Sequence, residues 1–404
     1  MFDYIKIEGF RSFKKVELEM PRLAVLIGPN GGGKSNLLDL LTLMAEAGRG
    51  ELAVGINKRG GFRNIALGFD SSQEVRAEFR FRKLPVQVPQ PPSLQMSEAS
   101  DKKPYDIRFS VGLRGLGGNF RVWEENLRVE SPDDASLSLG IVDRQAGMTE
   151  FRWSSGPDPQ IVERKSVQDL ELAIFQVRDP NKYAVPYAVL QQLQEWTFYR
   201  DIDVGPQSPV RQPAMIRSGI RLLPNGANLF SALYSIREKH PDDWEEILEI
   251  VKTAYPDFLN LRVPAEGGDG RILLRWFEQH YEKEGISANL LSDGTMKLLC
   301  LIAILKSPDP PPLICIDEPE LGLHPDWIEL VAELMQDAAM RTQVIVATHS
   351  PHIVAKMKPE QVIVAEKENG ESRLEQLSAE HLEKWLKDFN LAELWLAGEI
   401  GGRP

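Results

Sequence analysis

The sequence of 404 residues contains only two cysteines, Cys300 and Cys315. Both lie in apolar segments, where an unpaired thiol usually packs as a small hydrophobic side chain. So few cysteines exclude a disulfide framework and a cysteine-rich metal site, and they favour a reducing compartment. The first residues also lack the basic-then-apolar arrangement of a signal peptide. We therefore expect a cytoplasmic protein.

An excess of basic residues is also absent, because 47 Lys and Arg stand against 59 Asp and Glu, for a formal net charge of −12. No global positive field is present to attract nucleic acid or an anionic membrane. Local basic clusters within 76–83, at Lys102 and Lys103, and within 211–221 could line a DNA duplex. Such clusters are more often solvated faces.

Long apolar runs are missing as well. No uninterrupted stretch approaches the roughly 18 residues that a membrane span needs, so we expect no membrane partner. The apolar fraction of 42% is nevertheless ordinary for a folded globular protein. A chain of this length is expected to form two to three domains.

The order of apolar patterns predicts an α/β fold. Alternating segments and the compact apolar run LAVLI at 23–27 predict strands, and the segment from Ser35 to about Gly48 predicts a helix. Short alternating segments over 105–153 predict an antiparallel meander, after a proline-rich surface loop. Strands and helices then alternate towards the C-terminus, as in a parallel sheet. We expect a first lobe at 1–83, a β-rich insertion followed by a helix at 84–200, and a second lobe at 201–404.

The segment GPNGGGKS at 28–35 fits the pattern G-x-x-x-x-G-K-[ST] between a predicted strand and a predicted helix. Glycines allow backbone N–H groups to point at phosphate oxygens, and the helix adds its positive end. Lys34 would neutralise the β- and γ-phosphates of a nucleotide, and Ser35 would ligate Mg²⁺. A glycine-rich turn that merely caps a core helix is the alternative. The candidate phosphate-binding residues are Asn30, Gly31, Gly33, Lys34 and Ser35.

Polar side chains follow two further apolar strands. Asp317 and Glu318 come after LICI, and His349 comes after VIVA. Because ligands bind at the carboxyl ends of parallel strands, Asp317 would join the Mg²⁺ shell. Glu318 would orient and deprotonate the attacking water, and His349 would contact the γ-phosphate. Taken singly, the carboxylates could form a solvated turn and the histidine could be structural.

The segment LSDGT at 291–295 precedes the apolar run MKLLCLIAILK. By itself it predicts a helix start at which Ser292 caps free backbone N–H groups. Its significance comes from the order of elements. A phosphate loop is followed by Ser292 and Gly294, then by the Asp317-Glu318 strand, and finally by the strand that ends at His349.

These elements in this order resemble the ABC-type ATPase heads of the SMC/RecF/OLD-like branch. The segments IEGFRSFKKVELE, GPNGGGKSN, LSDGTMKLL, ICIDEPELGLHP and ATHSPHIV carry the resemblance, and the middle of the chain is poorly matched. The resemblance implies a P-loop NTPase fold with a mixed β-sheet, an antiparallel β lobe and a helical lobe. It also implies ATP and Mg²⁺ as ligands.

The resemblance further implies that two copies sandwich two ATP molecules. Ser292 and Gly294 of one copy would then contact the γ-phosphate held by the other. Arg11, in GFRSF, matches an arginine that approaches the phosphates, although it could equally be a surface charge, and Asn36 also fits the pattern. The sequence departs from the usual signature because Asp293 precedes Gly294 where relatives carry Gly-Gly.

The segment after His349 is too short for the metal-dependent Toprim domain of an OLD-type nuclease, so we expect no nuclease activity. Helical spacing instead predicts one amphipathic helix in the tail. Its apolar stripe would contain Leu382, Trp385, Leu386, Phe389, Leu394 and Trp395.

The leading hypothesis is an ATPase switch that dimerises on ATP, acting in DNA repair or phage defence with a separately encoded effector protein. A RecF-like recombination mediator that grips DNA is the alternative, and it predicts DNA-stimulated hydrolysis. A transporter ATPase subunit would need a membrane partner. A small-molecule kinase with a P-loop would not need Ser292 and would not dimerise around ATP.

Overall fold

The computed structural model describes residues 1–84, 105–130, 138–145, 147–153, 161–217, 219–266 and 271–401. Most of the predicted proline-rich loop, with Lys102 and Lys103, lies outside these residues. The chain folds into two compact units that both draw on distant segments. The first unit contains Met1–Pro21, Gly28–Trp196 and Ile363–Gln376, and the second contains Arg22–Ile27, Thr197–Val362 and Leu377–Pro404.

The strands are numbered in chain order. They are β1 Phe2–Phe10, β2 Phe13–Glu19, β3 Leu23–Ile27, β4 Glu74–Phe81, β5 Asp106–Leu116, β6 Asn119–Glu130, β7 Ser138–Gln145, β8 Met148–Trp153, β9 Ile161–Ser166, β10 Thr197–Tyr199, β11 Ala214–Met215, β12 Phe258–Arg262, β13 Ala265–Glu266, β14 Arg271–Ile272, β15 Arg275–Glu278, β16 Ile286–Ser287, β17 Leu313–Asp317, β18 Gln343–Ala347, β19 Val362–Glu368 and β20 Glu371–Gln376.

The α-helices are numbered in the same way. They are α1 Lys34–Gly48, α2 Leu52–Lys58, α3 Phe62–Ile65, α4 Ala184–Glu195, α5 Leu229–Lys239, α6 Pro241–Ala254, α7 Asp293–Leu305, α8 Pro325–Arg341, α9 Pro351–Ala355, α10 Ala379–Leu382 and α11 Leu391–Ala397. Among the described residues, no helix combines the length and the apolar character needed to cross a membrane.

The first unit is built on an antiparallel sheet of eight strands, in the order β2-β1-β4-β5-β6-β7-β8-β9. Alternation along β1 and β4 buries one face, where Phe2 and Phe79 pack against the indole of Trp196. Charged side chains of the strands pair with one another: Arg76 contacts Glu74 and Glu124, and Arg80 contacts Asp3 and Glu19. These arginines of the predicted basic cluster are therefore engaged with carboxylates. The predicted meander is confirmed.

The second unit is centred on four parallel strands in the order β10-β17-β18-β3. Residues of β3 and β18 are buried throughout, which explains their uninterrupted apolar sequence. Asp317 lies opposite Ala347, and Ala347 lies opposite Leu26. Three strands therefore end at one edge of the sheet. The peptide bond after Ile27 leads from this edge into the predicted phosphate loop.

The structure confirms the expected fold class, with its parallel sheet, antiparallel β lobe and helices. Both cysteines are free and buried, as predicted from their apolar neighbours. Burial raises the pKa of the Cys300 thiol to about 12, so this side chain behaves as a hydrophobic group.

The prediction of one amphipathic helix in the tail is wrong. The tail forms α10, a short 3₁₀ turn at Trp385–Lys387, and α11. Asn390 ends the predicted pattern because it starts a new helix: its side chain accepts from the N–H of Glu393, whose carboxylate accepts from the N–H of Asn390. Leu394 and Trp395 are buried, whereas Trp385 and Phe389 are about half exposed at 45% and 47%.

Candidate functional site

The loop before α1 has the backbone shape of a phosphate cradle. Gly28 has φ 130° and Gly33 has φ 124°, values that residues with a Cβ rarely adopt. A Cβ on Gly28 would lie 2.1 Å from the carbonyl oxygen of Ala365, and a Cβ on Gly33 would lie 2.9 Å from the Cβ of Ser372. Both glycines are therefore required for the loop to pack against β19 and β20.

Residues around the loop place one lysine and one hydroxyl at the start of α1. The Lys34 ammonium donates to the carbonyl oxygens of Gly28 at 2.6 Å and Pro29 at 3.2 Å. Ser35 is exposed, as are Asn30 and Gly31 at the loop tip. Gly33, at the helix N-cap, has no side chain to occupy the first backbone N–H groups, and the first turn has no acidic residue. This helix start suits an anion.

The structure brings Arg11 and Asn36 together in the first unit. Arg11 has a left-handed backbone at φ 50°, between β1 and β2. Its guanidinium donates to the Asn36 side-chain oxygen at 3.2 Å and pairs with Asp39 at 2.6 Å. Arg59 also binds Asp39: its Nε–H is shared between both carboxylate oxygens, and its Nη2 forms an ion pair with the same carboxylate. Arg11 is thus held beside the first turn of α1.

Asp317 and Glu318 lie at the carboxyl edge of the parallel sheet in the second unit. Asp317 is the last residue of β17. Glu318 has φ 48°, a left-handed conformation that is strained for a residue with a long side chain. Its N–H donates to the carbonyl of Ala347 at 2.8 Å. Strained residues of this kind persist where the surroundings fix them, and they concentrate at functional sites.

His349 follows β18 at the same edge. Its segment is held in place by hydrogen bonds to Glu320, a residue that was not among the candidates from the sequence. The backbone N–H of His349 and the hydroxyl of Thr348 both donate to Oε1 of Glu320 at 2.7 Å. The Thr348 hydroxyl in turn accepts from the N–H of Ser350 at 2.9 Å. Asp317, Glu318 and His349 are therefore neighbours through the pairing of β17 with β18.

Ser292 caps α7, as the plain reading of the sequence predicts. Its Oγ accepts from the N–H of Thr295 at 3.1 Å and lies 2.7 Å from the Thr295 hydroxyl. That hydroxyl also lies 2.6 Å from the hydroxyl of Tyr255, whose ring packs on Trp276. Ser292 remains exposed despite this role. Ser292 can therefore cap α7 and still be accessible to a second molecule.

Arg211 holds the segment before α7, although it was predicted as part of a basic surface. Only 2% of Arg211 is exposed. Its guanidinium donates to the carbonyls of Ala288 and Leu291 and to the Asp293 carboxylate at 2.6 Å. Asp293 thus supplies a carboxylate partner for this buried cation.

Gly294 permits close packing between α7 and the loop after β17. A Cβ on Gly294 would lie 2.9 Å from the carbonyl oxygen of Gly322. The structure therefore places Ser292 and Gly294 next to the loop that begins with Glu318. The sequence does not reveal that Arg211 and Tyr255 hold the start of α7 or that Glu320 holds the loop of His349, because these contacts join segments that are distant in sequence.

Comparison with known families identifies ATPase segments in both halves of the chain. Residues 1–77 match the family described as "AAA ATPase domain". Residues 200–355 match the family described as "AAA domain, putative AbiEii toxin, Type IV TA system". A comparison with curated proteins gave no match.

Solved structures with a similar fold are SMC heads. An SMC head bound to the C-winged helix domain of ScpA has a TM-score of 0.53 and 14% identity, over 94% of this chain and 99% of that chain. An SMC head with an extended coiled coil, bound to the C-terminal domain of ScpA from Pyrococcus furiosus, has a TM-score of 0.52 and 13% identity, over 96% and 98%. At this identity the similarity concerns the fold.

Proposed function

We propose that this chain, an ABC-type, SMC-like ATPase by its fold and by its two ATPase-family segments, binds and hydrolyses ATP and dimerises when ATP is bound. The observation that carries the nucleotide assignment is the loop at 28–35. Its glycines occupy backbone conformations reserved for glycine, and it leads into an uncapped helix start. Arg11 and Asn36 stand beside that helix start. These features suit the phosphates of a nucleotide.

The oxygen-bearing residues fit Mg²⁺ as the accompanying ion. Ser35 offers an exposed hydroxyl after the loop, and Asp317 offers a carboxylate at the end of β17. Hydroxyl and carboxylate oxygens are the ligands that Mg²⁺ prefers, together with water and phosphate. When bound, the ion neutralises charge that develops on the phosphates during transfer. We assign Ser35 and Asp317 as its protein ligands.

Hydrolysis is assigned to Glu318 and His349. A carboxylate at Glu318 can accept the proton of a water molecule as that water attacks the γ-phosphate. The fixed backbone of Glu318 limits the positions that its carboxylate can take. His349 can donate a hydrogen bond to the γ-phosphate. Both residues contribute mainly through position, as expected for phosphoryl transfer.

The second copy of the chain is assigned from the surface around Ser292. Leu290 is 78% exposed two residues before the serine, and Leu321 is 59% exposed in the loop that Gly294 packs against. A second copy bound over Ser292 would cover both leucines, and the burial of apolar surface favours such an association. We therefore propose that Ser292 and Gly294 contact the γ-phosphate held by a second copy.

The cellular role is proposed on the family resemblance alone. A switch of this kind would act in DNA repair or phage defence with a separately encoded effector. The RecF-like alternative requires DNA contacts. Three arginines of the predicted basic clusters do not favour this alternative, because Arg76 and Arg80 pair with carboxylates and Arg211 is buried. DNA-stimulated hydrolysis would distinguish the alternative.

The first experiment is the solution mass of Glu318→Gln with and without ATP and Mg²⁺, measured by light scattering. The amide keeps the size of the side chain but cannot accept the proton, so ATP binding is retained and turnover is nearly abolished. We expect the mass to double with ATP. The same measurement with duplex DNA tests the alternative role.

Glu249→Gln is the matched control, because Glu249 is exposed on α6. It should hydrolyse ATP like the unaltered protein. Full turnover by Glu318→Gln would remove Glu318 as the base. An unchanged mass in the presence of bound ATP would contradict the dimer.

A further inference from the structure

Three hydrogen bonds join the loop after β17 to the end of β18 and to the loop that follows it. The N–H of Glu318 donates to Ala347, and the Thr348 hydroxyl and the His349 N–H both donate to Oε1 of Glu320. Parallel strands do not fix the loops that follow them. Here one side chain, Glu320, fixes two consecutive residues of the neighbouring loop.

Glu320 also belongs to the turn that contains the strained residue. The N–H of Leu321 donates to the carbonyl of Glu318 at 3.2 Å, which closes a tight turn around Pro319 and Glu320. A left-handed conformation is unfavourable at a residue with a Cβ, because the Cβ comes too close to the following carbonyl oxygen. The bonds made by Glu320 anchor this turn to β18, so they help to maintain the conformation of Glu318.

The second carboxylate oxygen of Glu320 indicates that the residue is not present for stability alone. Its Oε2 is buried and has no hydrogen-bond partner among the described residues. Leaving a buried acceptor unpaired is costly, more so for a charged group. Lys297 on α7 is 8% exposed, and burial lowers the pKa of its ammonium, an effect that the negative charge of Glu320 opposes.

We propose that Glu320 is a positioning residue for hydrolysis: it holds His349, and with it the turn of Glu318, in the geometry that turnover requires. This inference rests on the roles proposed above for Glu318 and His349. Glu320 acts through hydrogen bonds to the loop and not through contact with ATP. Displacement of a reacting group by about 1 Å can lower a rate by about 100-fold. Loss of Glu320 should therefore lower kcat and leave ATP binding intact.

The test compares Glu320→Ala with Glu320→Gln. Alanine removes the acceptor of both donors, whereas glutamine keeps one oxygen that can accept both. We expect Glu320→Ala to lower kcat by about 10- to 100-fold and to leave KM for ATP and the ATP-dependent mass within about threefold. Glu320→Gln should restore kcat to within about threefold. The exposed Glu249→Ala is the control and should leave both parameters unchanged.

A double variant tests whether the loss of Glu320 lowers kcat through His349. If Glu320 acts through His349, then Glu320→Ala/His349→Ala should be no slower than His349→Ala alone. Multiplying losses would overturn the inference, as would full kcat in Glu320→Ala or equal loss in the alanine and glutamine variants. A rise in KM without a change in kcat would also overturn it.

If Glu320→Ala fails to fold, Thr348→Val provides a second variant with which to test the inference. Valine removes one of the two donors and preserves the shape of the side chain, so kcat should fall by about 3- to 10-fold with KM unchanged. Full kcat in this variant would contradict the inference. Failure of the proposed function is recognised separately, because it would appear as normal turnover in Glu318→Gln or in His349→Ala.

Discussion

The ammonium of Lys34 is bonded to the carbonyl oxygens of Gly28 and Pro29, so it lies across the loop that it follows. A cation in this position offers charge-assisted hydrogen bonds to phosphate oxygens. The loop glycines supply shape but no formal charge. Affinity for a nucleotide should consequently depend on this one side chain far more than on any single glycine N–H.

Lys34→Ala should weaken ATP binding by about 100-fold or more, because the phosphates lose their charged partner. Titration with a fluorescent ATP analogue measures the Kd. Lys58→Ala is the control, since Lys58 is an exposed lysine near the end of α2 and should bind like the unaltered protein. Comparable affinity in Lys34→Ala would contradict the role of the loop.

The backbone shape of the glycine loop could be predicted from local sequence, whereas side-chain contacts between distant segments could not. Gly28, Gly33 and Lys34 were found because a strand, a glycine loop and a helix follow one another directly. Arg211 was misread as part of a basic surface, since its charge says nothing about burial. Glu320 was passed over, because its bonds to Thr348 and His349 appear only when β17 and β18 pair.

At the scale of elements, the start of α7 is held from two sides. Arg211 fixes the segment before Ser292 through backbone carbonyls and Asp293, and Tyr255 contacts Thr295. The helix itself is apolar almost throughout and buried. Sequence patterning located this helix correctly. In the tail, however, the same patterning extended one helix across Asn390, where a capping box starts another.

Arg211→Met should destabilise the fold by about 3–5 kcal/mol, because it leaves buried carbonyl oxygens without donors. Denaturant unfolding followed by circular dichroism measures the free energy. Arg211→Lys should lose less, since an ammonium can still reach some of these oxygens. Arg373→Met, at an exposed site on β20, should change stability by less than about 0.5 kcal/mol. Equal stability of the two methionine variants would show that Arg211 is dispensable.

At the scale of the whole molecule, the proposed dimer makes each ATP depend on residues of two copies. Ser292→Arg places a bulky charged side chain where the phosphate of the second copy would lie, so this variant should bind ATP without dimerising or hydrolysing it. Loss of the helix cap costs only about 1 kcal/mol and should not unfold the protein. Light scattering and a phosphate-release assay measure both properties.

Mixing two inactive variants adds a control to this prediction. A Lys34→Ala copy retains Ser292, and a Ser292→Arg copy retains Lys34, so a mixed pair contains one intact combination. We expect part of the hydrolysis to return on mixing. No recovery, together with normal turnover by Ser292→Arg alone, would leave Ser292 as a helix cap only.

Each of the two units is assembled from segments that are far apart in the sequence, and this affects how the chain folds during synthesis on the ribosome. Leu23, near the beginning of the chain, pairs with Val344, and the segment Arg22–Ile27 belongs with residues made much later. The strand β3 therefore emerges long before its partner β18 exists. Such non-local pairing is slow to form and leaves an apolar strand exposed in the meantime. The segment LAVLI would therefore need protection from aggregation until Gln343–Ala347 has been translated. We expect binding of chaperones to the nascent chain to decrease once that segment has left the ribosome.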